Sequence, residues 1–117
     1  MAEKNILCHF NRAPFGTIFN TEGFRAAVGC AAGIDEHKAT LLFQGDGVYY
    51  ALKDVDRTEN RGYMGTLKDL ECDNYFVVSE DLDARGIGSD EIADDMKVIS
   101  RDESVKLYGE ADVIMDW

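Results

Sequence analysis

Three cysteines, Cys8, Cys30 and Cys72, are the residues of this chain with the most versatile chemistry. A thiol reacts as its thiolate, which forms where positive charge or a helix N-terminus lowers the pKa. Cys8 lies within an apolar run and Cys30 flanks the apolar stripe of a predicted helix, so packing is the favoured role of both. Cys72 stands between Glu71 and Asp73, and adjacent carboxylates disfavour its thiolate. The odd count and the absence of a CxxC pair argue against a disulfide framework. The sequence therefore shows no cysteine in surroundings that would favour its reactive thiolate.

The two histidines, and the serine at the end of a predicted strand, show no pattern typical of a catalytic or metal site. His9 ends the first apolar run, where it could orient a loop, and His37 falls on a predicted turn. Neither shows the ligand spacing of a zinc site. Ser79 has no histidine partner in the sequence that would suggest a catalytic triad. We therefore expect no metal ion, no cofactor and no independent catalysis.

Polar side chains after the predicted strands are the remaining candidates for a ligand site. The stretch FNRAPFGTIFNTEGF, residues 10–24, leaves the first strand and enters a helix. Its glycines, Gly16 and Gly23, match neither the dinucleotide-binding nor the P-loop spacing. In an open parallel sheet, ligands lie beyond the carboxyl ends of the strands. The predicted pocket-lining residues are Asn11, Arg12, Thr17, Asn20, Gln44, Asp46 and Ser79.

The elements that must position these residues alternate along the chain. Apolar runs predict strands over 4–10, 38–44, 74–79, 96–100 and 111–117. Between them, helical patterns cover 21–34, 45–55, 59–72, 80–87 and 102–110, with a further turn over 89–95. Asn20 or Thr21 is expected to cap the first helix and Gly33 to end it.

This alternation predicts an α/β fold made of a single domain over residues 1–117. Strands that are apolar throughout belong to a parallel sheet with helices on both faces. We therefore expect a flavodoxin-like three-layer sandwich of about five parallel strands in the order 2-1-3-4-5.

Composition restricts the partners. The net charge of −11 argues against contacts with nucleic-acid phosphates. No apolar run reaches the length of a membrane helix, and the start of the chain lacks the pattern of a signal peptide, so we expect a cytoplasmic protein. The acidic run at 80–95 is interpreted as a solvated face, with a docking patch as the alternative.

Four segments resemble the DsrE/DsrF/TusC family of small sulfur-relay proteins. They read APFGTIFNTEGFRAAVGCAA, LLFQGDGVYYAL, VVSEDLDARGI and KVISRDESVKLYGEADVIMDW. The resemblance implies the same flavodoxin-like fold. It also implies a role among proteins that pass sulfane sulfur as a cysteine persulfide, in sulfur oxidation or tRNA thiolation. Such proteins work as homo-oligomers or as mixed oligomers of related subunits.

The resemblance also implies which residue should carry sulfur, and this chain lacks it. In sulfur-carrying members the active cysteine ends the third strand, at a fixed distance before the signature that is here Arg85, Gly86 and Ile87. The matching position is Val78, next to Ser79. The chain is in this respect similar to the DsrF/TusC branch, whose subunits also lack that cysteine.

The resemblance therefore implies a non-catalytic or accessory subunit, and any activity of its own would be that of a sulfurtransferase. Its expected partners are related DsrE-like subunits or its own copies, with a sulfur-carrier protein as a further candidate. Two alternatives stay open. One is a sulfur carrier that uses Cys72 or Cys30, and the other is a module that binds a small ligand or nucleotide near 11–20 and 44–48.

Overall fold

A parallel five-stranded sheet is the centre of the computed structural model, which describes residues 3–33 and 36–117. Its strands are β1 (Asn5–Phe10), β2 (Lys38–Phe43), β3 (Asn74–Val78), β4 (Met96–Ile99) and β5 (Val113–Asp116). The helices are α1 (Phe19–Ala32), α2 (Arg61–Asp69), α3 (Ser79–Ala84) and α4 (Arg101–Glu110), with 3-10 turns at Gly45–Ala51, Thr58–Asn60 and Ser89–Glu91. The predicted alternation of parallel strands and helices is confirmed.

The predicted strand order is wrong. The sheet has the order β4-β3-β2-β1-β5, so β1 pairs with β2 on one side and with β5 on the other. The chain steps from β1 to β4 in one direction and then returns through α4 to the far side of β1. An apolar run shows that a strand is buried, but not which neighbour it has. The order 2-1-3-4-5 was therefore not determined by the periodicity.

Crossover connections between parallel strands are right-handed. The direction in which the chain moves from one strand to the next therefore decides which face of the sheet the connecting helix covers. On the larger core, α1 and α2 pack over a cluster of rings in which Phe43 stacks on Phe10 and Tyr50. On the opposite face, α4 packs over Leu7, Leu42, Val78 and Ile99. Helices thus cover both faces of the sheet, as predicted, and the core under α1 and α2 is larger than the core under α4.

The start of α1 differs from the prediction. The helix begins at Phe19, and Ile18, at the N-cap position, makes no side-chain capping bond. Asn20 is buried inside the first turn and bonds Asn60, which explains why it is not available as a cap. Gly33 is the C-cap residue, as expected, and position 34 of the predicted helix lies outside the described residues.

Within the described part of the chain, no helix has the length and apolarity needed to cross a membrane.

Gly47 is a position where the fold requires the absence of a side chain. A β-carbon there would collide with the carbonyl group of Phe10 at the end of β1. We expect Gly47→Ala to lower the free energy of unfolding by about 1–3 kcal/mol, the usual cost of overpacking. Gly65→Ala is the matched control, because nothing lies near its β-carbon position in α2. It should stabilise by up to about 1 kcal/mol. Urea unfolding of the two variants measures both changes, and equal effects would contradict the packing argument.

Candidate functional site at the carboxyl edge

Polar side chains from all five strand ends meet at the carboxyl edge of the sheet. This is the geometry that parallel strands impose, since every strand ends at the same edge. One residue lies in β1, one directly after β2, one in α3 after β3, two in α4 after β4, and one at the end of β5. We call these six the carboxyl-edge network: His9, Gln44, Asp81, Arg101, Tyr108 and Asp116.

Arg101 joins three of these strand ends. Its guanidinium donates to the Asp81 carboxylate at 2.6 Å and to Gln44 Oε1 at 3.3 Å. The second oxygen of Asp81 accepts the Gly45 N–H at 2.9 Å. Burial alone would raise the pKa of Asp81, but the Gly45 N–H and the Arg101 guanidinium together hold it below its usual value. Asp81 is therefore an ionised, firmly held carboxylate.

The start of α4 fixes the backbone of Arg101. Ser100 caps the helix by accepting the Glu103 N–H at 3.1 Å, and the Glu103 carboxylate accepts the Ser100 N–H in return. The Arg101 N–H donates to Glu80 at 2.9 Å, and the Ser79 hydroxyl donates to the same Glu80 oxygen. These bonds hold the backbone of Arg101 in place independently of the contacts that its side chain makes.

The hydrogen bonds also assign the proton on His9. Arginine only donates, so the Gln44 atom that faces it is the oxygen. The Gln44 nitrogen therefore donates to the Tyr108 hydroxyl at 2.8 Å and to His9 Nε2 at 2.6 Å. His9 Nε2 must accept, which leaves the proton on Nδ1, 3.7 Å from Asp116 Oδ1.

Burial keeps His9 neutral. The loss of hydration lowers the pKa of His9, and Arg12 lowers it further, against the opposing pull of the Asp116 carboxylate. The ring also lies edge-on to Tyr108, with centroids 5.7 Å apart. A protonated ring would lose its bond from Gln44, because Nε2 could no longer accept.

Three of the predicted pocket residues lie at or beside the network. Gln44 is its centre, and Ser79 positions Glu80 under Arg101. Asp46 pairs with Arg85 at 2.9 Å on the neighbouring α3 segment.

The other four predicted residues are spread over different surroundings. Asn11 is exposed, and its side-chain oxygen lies where a side chain at Gly45 would begin. Arg12 lies over the Phe19 ring at 4.1 Å, and the Thr17 hydroxyl accepts the Phe19 N–H at 3.4 Å. Asn20 lies against the opposite face of the sheet, in the larger core.

Four network residues were missed by the sequence argument: Asp81, Arg101, Tyr108 and Asp116. Three of them belong to a pattern that the sequence does show. Asp81, Arg101 and Asp116 stand at or just past the ends of the third, fourth and fifth apolar runs. The predicted site took its residues from the ends of the first three runs, which leaves out Arg101 and Asp116. Asp81 follows the third run, where only Ser79 was predicted.

The arrangement is suited to polar recognition rather than to covalent chemistry. Ser79 donates its hydroxyl proton to a carboxylate, not to a histidine base. Among residues 3–33 and 36–117, no group of three or more His, Cys, Asp or Glu side chains could hold a metal ion. Arg101 and Asp116 are partly exposed and present a positive and a negative group at the rim.

A second feature of this edge is apolar. The segment 13–15 and the residues that follow β2 enclose a cavity of about 580 Å³. Its lining is Ala13, Pro14, Phe15, Tyr49, Leu52, Lys53, Asp54, Val55, Asp90 and Glu91. Phe15 and Tyr49 are exposed there, and Ile18 and Phe19 are exposed on the same loop.

The neutral state of His9 predicts a pH dependence of stability. The pKa of His9 is lower in the folded chain than its ordinary value of about 6.5 in an unfolded one. The unfolded chain therefore binds the proton first, and the free energy of unfolding should fall as the pH drops from about 7.5 to about 5.5. His9→Gln should show a smaller fall in urea unfolding, whereas His37→Gln, which keeps His9, should retain it. A His9→Gln variant with the full pH dependence would contradict this assignment.

Comparison with known proteins agrees with the fold. The family described as DsrH like protein matches residues 21–113. The crystal structure of the ychN protein from E. coli is similar at a TM-score of 0.78 and 16% identity, covering 99% of this chain and 100% of that one. MTH1491 from Methanobacterium thermoautotrophicum, a protein of unknown function, is similar at a TM-score of 0.74 and 14% identity, covering 98% and 100%. No curated protein sequence matches. The two structures show the fold, and the match over most of the chain shows that it belongs to the DsrH-like family.

Proposed function

We propose that this chain is a non-catalytic, accessory subunit of a cytoplasmic sulfur-transfer assembly, with related DsrE-like subunits or further copies of itself as partners. Membership in the DsrH-like family supports the link to sulfur relay. Among residues 3–33 and 36–117 no thiol belongs to the carboxyl-edge network, and this observation is the main support for the accessory role. In this the chain is similar to the DsrF/TusC branch, and its pathway would be sulfur oxidation or tRNA thiolation.

Val78 is the first part of that observation. It is the last residue of β3, where the resemblance places the cysteine of sulfur-carrying relatives. Its side chain is fully buried under α4, among Leu7, Leu42 and Ile99. A branched hydrocarbon at this position completes a core and can carry no sulfur.

The three cysteines are the second part, since none of them points into the carboxyl-edge network. Cys8 points from β1 into the larger core, and burial raises its pKa to about 12. Cys72 is buried two residues before β3 begins, at the opposite end of that strand from Val78. Cys30 is half-buried in the last turn of α1, and burial raises its pKa as well. These surroundings argue against the alternative of a carrier that uses Cys72 or Cys30.

The exposed apolar side chains support the assembly role. Phe15 and Tyr49 are exposed in the lining of the 580 Å³ cavity, and Ile18 and Phe19 are exposed three and four residues after Phe15. Clustered exposed hydrophobic residues of this kind are typical of surfaces that a partner covers. The same cavity is the observation that favours the second alternative, a module that binds a small ligand.

Sulfur loading tests the accessory role directly. We expect thiosulfate or polysulfide to add no sulfur, about 32 Da per atom, to any cysteine in intact-mass spectra. Ser79→Cys is the matched positive control, because it places a part-exposed thiol directly after β3, next to the position where the resemblance places the active cysteine. The variant should load under conditions that leave the unmodified chain unchanged. Loading of Cys30 or Cys72 in the unmodified chain would establish the carrier alternative instead.

Assembly is tested by purifying the protein with its partners from its own cells and measuring the mass by light scattering. We expect a complex with a DsrE-like subunit or an oligomer of this chain, and Ile18→Glu should weaken it by placing a charge on the exposed apolar surface. Val105→Glu is the control, because Val105 is 60% exposed on α4 and Ile18 is 72% exposed on the loop. A strictly monomeric protein with no such partner would contradict the proposal, and equal effects of both variants would contradict the choice of surface.

A further inference from the structure

A pair of buried asparagines lies below the loop that leaves β1. Asn20 comes from the first turn of α1 and Asn60 from the residue before α2, and their exposed fractions are 4% and 3%. Asn60 Nδ2 donates to Asn20 Oδ1 at 2.8 Å and to the Tyr50 hydroxyl at 3.3 Å. Asn20 Nδ2 and Asn60 Oδ1 have no hydrogen-bond partner among residues 3–33 and 36–117. Buried polar groups without partners are rare and costly in folded proteins.

The free donor and the free acceptor do not depend on how the amides are oriented. Turning one carboxamide alone would place two donors or two oxygens against each other. Turning both restores the bond between them and leaves Asn20 with the free oxygen and Asn60 with the free nitrogen. In either orientation the pair keeps one unused donor and one unused acceptor.

Both asparagines line a cavity of about 220 Å³. Its other lining residues are Pro14, Phe15, Thr21, Tyr50, Asp56 and Glu59. Pro14 and Phe15 form the wall between this cavity and the larger apolar one, since they line both. The two free atoms are fully buried, and Phe15, which lines the same cavity, is 60% exposed. A ligand can therefore reach the pair only if a side chain of this lining, such as Phe15, moves aside.

The charges around the cavity restrict the ligand. Thr21 donates to Glu59 at 3.3 Å, and Asp56 accepts from Thr58, so both carboxylates are fixed at the rim. These two acids repel carboxylate and phosphate groups, although the N-terminus of α1 and the Arg61 guanidinium near Asp56 would attract them. A neutral group that carries its own donor beside an acceptor satisfies the pair without meeting this repulsion.

We propose that this cavity is a binding site for a small planar ligand with a primary carboxamide, whose oxygen and nitrogen pair with the free atoms of Asn20 and Asn60. The site is separate from the carboxyl-edge network, because it lies on the α1 face of the sheet, whereas the network lies on the α4 face. It is also independent of the proposed role in sulfur transfer, as it involves no thiol.

Benzamide and benzoate are a matched pair of probes, since they differ only in carboxamide against carboxylate. We expect benzamide, titrated into the full ¹⁵N-labelled chain, to shift the side-chain amide signals of Asn20 and Asn60 saturably, and benzoate to leave them unchanged. Because this comparison uses the unmodified chain, it decides the proposal even where a variant fails to fold. Unchanged Asn20 and Asn60 signals with benzamide, as expected if trapped water satisfies the pair, or equal shifts with benzoate, would overturn the proposal.

Asn20→Asp tests the free donor with little change in shape. The variant keeps the oxygen that Asn60 bonds and replaces the free nitrogen by a charged oxygen. Loss of one hydrogen bond and the added repulsion should weaken benzamide binding by tenfold or more. Asn74→Asp is the control for charge, because Asn74 is exposed at the start of β3, and it should bind benzamide as the unmodified chain does. Equal affinities of the two variants would overturn the proposed contact.

Discussion

The parallel pairing of β1 with β2 on one side and with β5 on the other is the constraint on which the rest of the structure depends. It brings the first and last strands of the chain together, so that the backbone of β1 is satisfied on both edges. Because all pairings are parallel, five chain segments that are distant in sequence end at one edge. His9 and Asp116 face each other only because β1 and β5 are neighbours.

The same topology makes the two faces of the sheet unequal, and this separates the two sites. Three successive steps in one direction put α1 and α2 over the larger core, and the return step puts α4 on the other side. The side chain of Tyr108 reaches Gln44 from α4, whereas Asn20 enters from α1. One strand-end loop, residues 11–18, runs between them. A single connection thus borders a charged network on one side and a carboxamide pair on the other.

The strands and the end of the first helix were predictable because residues close together in the sequence determine them. The apolar runs located the five strands, and Gly33 marked the end of α1. Strand order was not predictable, because an apolar run indicates a buried strand and does not specify which strand pairs with it. The error extended to the site: Gln44 was found from its own strand end, but Arg101 and Asp116 required the correct neighbours. Asn20 looked like a helix cap because asparagine is a favoured cap, and only the tertiary contact with Asn60 changes that role.

Val78 shows why family membership does not determine chemistry. Position 78 lies at the end of β3 whatever residue occupies it, because the backbone pairing of β3 with β4 sets the register. In that register Val78 lies opposite Ile99. A cysteine there would need access to solvent and a lowered pKa to carry sulfur. In this chain the position is instead closed under α4, and the polar groups around it hold one another rather than a reactive thiol. The fold therefore sets where position 78 lies, and the side chain that occupies it decides whether sulfur can be carried there.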